Sequence, residues 1–140
     1  MQNMHLSALR QAETKRMHAD YALARQQLVA LARAEPAHSP LVAALDRVYA
    51  LLQACMSGCA RGEELVHMYA SAQQGARRLA AVREQSSLDS RVQAACRLAL
   101  SLLARAQYEL ESVLGPLHET PTRKQLGAAA AKLNVKWRGC

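Results

Sequence analysis

The stretch Ser86–Pro116, SSLDSRVQAACRLALSLLARAQYELESVLGP, decides the fold, because it carries a helix start, a helix stop and the widest apolar face in the chain. Ser86 or Ser87 offers a capping hydroxyl, and Asp89 puts a carboxylate near the positive end of the helix. Gly115-Pro116 supplies a left-handed stop and then a residue that cannot continue. Between these signals Leu88, Val92, Ala95, Ala99, Leu102, Ala106 and Val113 form one stripe at helical spacing, and Cys96, Leu100, Leu103, Leu110 and Leu114 form a second beside it. The remaining strip, Gln93, Arg97, Ser101, Arg105, Glu109 and Ser112, is expected to face water, with Arg105 reaching Glu109 one turn on. A helix apolar over so much of its circumference needs neighbours on at least two sides. The expectation is therefore an all-α antiparallel bundle of about four helices with a short basic C-terminal helix or tail.

Upstream of this helix, Ser57-Gly58-Cys59-Ala60-Arg61-Gly62 raises the question of one long helix or two. A fused helix would run about 45 residues, near 67 Å at 1.5 Å per residue, and would outreach its neighbours. Glu63 and Glu64 instead suit a helix start, and Arg77, Arg78 and Arg83 suit its end, so a break with Gly58 as left-handed cap is expected. The third helix then spans residues 63 to about 85, with Leu65, Met68, Tyr69, Ala72, Ala76 and Leu79 inward. Its small middle around Gly75 invites close approach by a neighbouring backbone. The second helix starts at Ser39-Pro40, a capping hydroxyl before a proline, and its coiled-coil-like seam runs Leu41, Leu45, Val48, Leu52, Cys55 and Cys59. The first helix covers residues 4–34 with the seam Met17, Tyr21, Ala24, Leu28 and Leu31. Carried backward, that seam meets Thr14 and Arg10 and fails, which marks the early turns as frayed, packed in another phase through Leu6 and Leu9, or partner-binding.

Downstream, Thr120-Pro121, another cap followed by proline, restarts the chain and 122–136 reads as a short helix, with Leu126, Ala130, Leu133 and Trp137 on one side. The 140 residues divide into a helical bundle domain, 1–119, and a basic helix or tail, 120–140. Charge follows the same division. Of a net +7, the last 21 residues carry +5, from Arg123, Lys124, Lys132, Lys136 and Arg138 with no acid, so a polyanionic partner should be drawn there. No apolar run approaches the roughly 20 residues of a transmembrane helix, and no secretory signal pattern is present, so the expected location is intracellular. The cytoplasm is the first expectation. An organelle matrix is the second, because Arg10, Lys15 and Arg16 with the single acid Glu13 faintly resemble a presequence.

Sites for chemistry are scarce. Cys55 and Cys59 share a helical face and Cys96 could approach them, but all three occupy seam positions that want a small apolar group, so packing is expected rather than a metal site or disulfide framework. Glu64 and His67 have the Glu-x-x-His spacing of a di-metal bundle, a site that requires a second such pair the chain lacks. There is no glycine-rich phosphate loop, nucleophile turn or His-Glu-x-x-His run, so neither an enzyme nor a cofactor is expected.

The leading reading is a non-enzymatic accessory or adaptor subunit of a larger protein or ribonucleoprotein assembly, self-associating or joining other subunits. Its contacts would be the apolar seam at Met17, Tyr21, Leu28 and Leu31 and the basic tail at Arg123, Lys124, Lys132, Lys136, Trp137 and Arg138. The alternative is a nucleic-acid-binding protein in which Arg77, Arg78, Arg97 and Arg105 join the tail as a phosphate surface. Clustering of those arginines beside the tail favours it; scatter counts against it. A third reading is a small-molecule or metal-binding bundle, which requires a polar interior pocket near Cys55 and His67.

Overall fold

A computed structural model describes residues 2–85 and 89–138, with side chains from residue 8 onward. Among them are helices α1 (Gln2–Ala34), α2 (Ser39–Ser57), α3 (Gly62–Arg83), α4 (Ser90–Leu114) and α5 (Arg123–Trp137), a 3₁₀ turn at Pro36–His38, and no strand. This is the all-helical bundle the sequence implies. No helix among the described residues is long and apolar enough to cross a membrane.

Most helix ends follow local chemistry, and three differ from expectation. Gly58 sits at φ 76° and ends α2, so the chain breaks there as expected, and Gly115 at φ 85° ends α4. The cap of α4 is Asp89, whose carboxylate accepts from the Arg91 amide at 2.8 Å; Ser86, Ser87 and Leu88 lie outside the described residues. That amide, and after it the Arg91 guanidinium, hold the Asp89 carboxyl below its ordinary pKa. Ser39 is not a cap, because the 3₁₀ turn runs directly into α2 and places Ser39 already in helical conformation. At α5 the cap moves from Thr120 to Thr122, which forms a reciprocal capping box with Gln125.

α4 packs against α1, α2, α3 and α5, as its two stripes require. Leu28, Leu45, Leu52, Leu65, Leu110 and Leu133, drawn from all five helices, are completely buried. α1 and α4 run antiparallel, since Glu13 meets Arg105 near one end while Ala30 and Leu31 lie beside Arg91 and Val92 near the other. α2 and α3 approach closely at Gly75, where an added Cβ would stand 2.8 Å from the Ala44 carbonyl oxygen and 3.0 Å from its Cα. Backbone cannot step aside as a flexible side chain does. Gly75→Ala is therefore expected to destabilise by about 1 to 2 kcal/mol, overpacking outweighing a helix-propensity gain of about 1 kcal/mol, and a urea midpoint at or above the parent's would disprove the contact.

Candidate functional site

The basic C-terminal segment is a docked helix. Leu126, Ala129, Ala130 and Leu133 are buried, and α5 lies across α2, α3 and α4 at the α2–α3 turn. Asn134 reads that turn directly, donating from Nδ2 to the Ala60 carbonyl at 2.8 Å and accepting at Oδ1 from the Ala60 amide at 2.7 Å. Gly62 lets the backbones meet, because a Cβ there would stand 3.2 Å from the Gly127 Cα, whereas a Cβ on Gly127 would have open space. With its apolar side spent on docking, α5 turns Arg123, Lys124 and Lys132 to water, beside exposed Ala128, Ala131 and Val135, the last 71% exposed.

The far end of α5 is held by a buried carboxylate. Glu109 is 1% exposed, so it leaves the water-facing strip assigned to it from sequence. Its Oε2 accepts from Lys136 Nζ at 2.9 Å and Trp137 Nε1 at 3.2 Å, and Lys136 also donates to Ser112 Oγ at 3.0 Å. Arg105 Nη2 stands 3.3 Å from Glu109 Oε1 and 3.2 Å from Glu13 Oε2, so one chain of charge links α1, α4 and α5. The link is imperfect. Glu109 Oε1 and Arg105 Nε are both buried without a hydrogen bond, the 3.3 Å contact being an ion pair out of alignment. Arg10, the residue that broke the α1 seam, donates to the Trp137 carbonyl at 3.1 Å and the Ser57 carbonyl at 2.9 Å. A guanidinium thus meets the negative C-terminal ends of α5 and α2 at once.

Other residues singled out in the sequence are scattered. Met17 and Leu28 are buried against the chain's own helices and Leu31 is half-buried, so a partner reaching that seam would have to displace internal packing. Tyr21 stacks on Tyr49 with ring centroids 4.0 Å apart, and its hydroxyl donates to Asp46 Oδ1 at 2.6 Å. Burial first, and then Asp46, push the Tyr21 phenol above its ordinary pKa. Arg77 and Arg78 are exposed in the later part of α3 and Arg97 in the earlier part of α4, whereas Arg105 is half-buried in the Glu109 network. Arg77 lies 15 residues past Gly62, about 22 Å along α3 from the crossing with α5. The arginines therefore do not gather beside the tail. Glu64 and His67 both face water, and no cluster of three metal-binding side chains exists among the described residues.

The cysteines divide differently from their expected common role. Cys55 and Cys96 are free and fully buried, as packing requires, but Cys59 lies beyond the end of α2, exposed and disulfide-bonded. The seam spacing runs past the Gly58 break, and the helix does not. Burial, and then the Glu109 carboxylate, push the Cys55 thiol up to about 12, and burial raises Cys96. Neither thiol should react with a thiol reagent at pH 8 unless the protein opens. Because the unfolded thiol ionises near pH 9 and the folded Cys55 near 12, its contribution to stability is complete below pH 9 and falls away as pH rises between those values. Rapid labelling of the folded protein at pH 8 would contradict this.

One missed feature is a polar cleft of about 430 Å³ between α3, α4 and the chain before α5, with Tyr69, Gln73, Gln107, Glu111, His118 and Glu119 in its walls. It is an open surface cleft, and neither Cys55 nor His67 is in its walls. Compared with known protein families, curated proteins and solved structures, the chain has no significant match.

Proposed function

We propose that this chain is a non-enzymatic accessory or adaptor subunit that engages an acidic protein through the outer face of α5. The observation behind this reading is the docking of α5, which consumes its apolar side and leaves Arg123, Lys124 and Lys132 facing water, none paired with an acid among the described residues. Held on a helix already formed and docked, these cations require no backbone ordering on binding, and Val135 adds an apolar contact among them. A nucleic-acid role draws less support, since Lys136 and the Trp137 indole are committed to Glu109 and Arg77, Arg78 and Arg97 lie on the halves of α3 and α4 nearer their connection.

The test is capture from native lysate on the immobilised full chain, with and without nuclease, beside the variant Arg123→Gln/Lys124→Gln/Lys132→Gln. Retention of an acidic protein that survives nuclease, weakens with salt and is lost in the triple variant supports the reading. Loss of all captured material with nuclease would move the protein to the nucleic-acid class. Equal capture by the variant would remove α5 as the contact.

A further inference from the structure

Three of the four most exposed large apolar side chains lie along α1 and α4: Leu9 and Leu23, each 49% exposed, and Tyr108, 60% exposed. The antiparallel register, with Glu13 against Arg105 at one end and Ala30 and Leu31 beside Arg91 and Val92 at the other, brings Leu9 near the level of Tyr108 and Leu23 near that of Leu98, a half-buried residue on α4. These residues border the shallow furrow between the two helices. Between them α1 exposes Arg16, seven residues from each leucine and on the same line, flanked by Ala12 and Ala19, small enough for a third helix to come close. From Leu9 to Leu23 the furrow extends about 21 Å at 1.5 Å per residue, a length that a helix of four turns covers.

The charges along this face choose the occupant. Arg105 and Glu13 satisfy one another, while Lys15, Arg16 and Arg97 are exposed with no acid among the described residues in ion-pair range, and Asp20 is the one unpaired acid among the described residues of the stretch. The free charge is thus net positive. A second copy would bring the same basic residues against themselves, which disfavours a dimer through this face. We infer that the α1/α4 furrow docks an amphipathic helix whose apolar stripe covers Leu9, Leu23, Leu98 and Tyr108 and whose flanks are acidic. This is the helix-in-groove mode, with anchors recurring every three to four residues. The surface is separate from the outer face of α5, so the two proposals stand or fall independently.

Two synthetic 18-residue helices test the inference by fluorescence anisotropy on the full chain. One carries leucine at i, i+4, i+7 and i+11 with glutamate on both flanks; the other has every glutamate replaced by lysine. The acidic peptide is expected to saturate at micromolar concentration and to bind at least about tenfold more tightly than the basic one, with a difference that shrinks as salt rises. Leu9→Ala/Leu23→Ala, both at exposed positions that spare the core, should weaken it about tenfold, and Arg16→Gln/Arg97→Gln about threefold while flattening the salt response. Lys124→Gln/Lys132→Gln on α5 should leave the affinity unchanged. Equal binding of both peptides, no saturation below about 1 mM, or no effect of the leucine substitutions would overturn the inference. So would a dimer in sedimentation that the leucine substitutions dissociate, since the occupant would then be a second copy.

Discussion

Replacing Glu109 with alanine lowers the stability of the fold by about 3 kcal/mol, read as the shift in urea midpoint of the helical circular dichroism signal. Removing one partner from a buried ion pair typically costs about 3 to 5 kcal/mol, because the partners left behind stay desolvated without compensation. Here the lower figure applies, since Lys136 and Arg105 are 35% and 32% exposed and can turn toward water. Trp137 Nε1 loses its acceptor as well. Glu109→Gln keeps an oxygen for that indole while removing the charge, so it should fall between alanine and the parent. A midpoint for the alanine variant within about half a kcal/mol of the parent, the range of ordinary surface substitutions, would show that the network holds nothing.

Deleting residues 121–140 should have a larger effect still. If α5 were a free tail, the bundle would melt unchanged without it; docked, it buries Leu126, Leu133, Ala129 and Ala130 and covers Glu109. Two buried leucines at about 1.5 to 3 kcal/mol each, with the alanines, come to roughly 5 kcal/mol, comparable with the whole stability of a modest domain. The truncated chain should therefore lose cooperative melting or unfold at far lower denaturant. Retention of the parent's melting temperature would mean that α5 contributes no packing.

Local signals were legible in the sequence where they act through their own neighbours. Gly58 and Gly115 end helices because no other residue takes a positive φ so cheaply, and the stripes of α4 point inward because periodicity alone fixes which residues share a face. What could not be read depends on residues distant in the chain. Glu109 sits one turn from Arg105 on what looks like a solvated strip, and only the arrival of Lys136 and Trp137 from α5 buries it. Arg10 looks like a fault in a seam until two helix C-termini meet it. Thr120 and Thr122 are equally good caps by residue type, and Gln125 settles the choice by answering Thr122 from three residues on. At the candidate interface, the residue types of α5 showed a cationic helix, but which cations remain free follows from docking. Lys136 is taken by Glu109, whereas Lys124 and Lys132 are not.

The contact from Arg10 to Trp137 joins positions 127 residues apart, and Asn134 grips Ala60 across 74. Chain synthesis is vectorial, so α1 to α4 are made before the helix that covers Glu109. At about 5 to 20 residues per second, the end of α5 is made on the order of one to several seconds after the end of α4, and α5 can dock only once both have emerged. The nascent bundle passes through an interval in which its last core position is vacant and a buried carboxylate is still wet, and a premature stop in α5 would make that interval permanent.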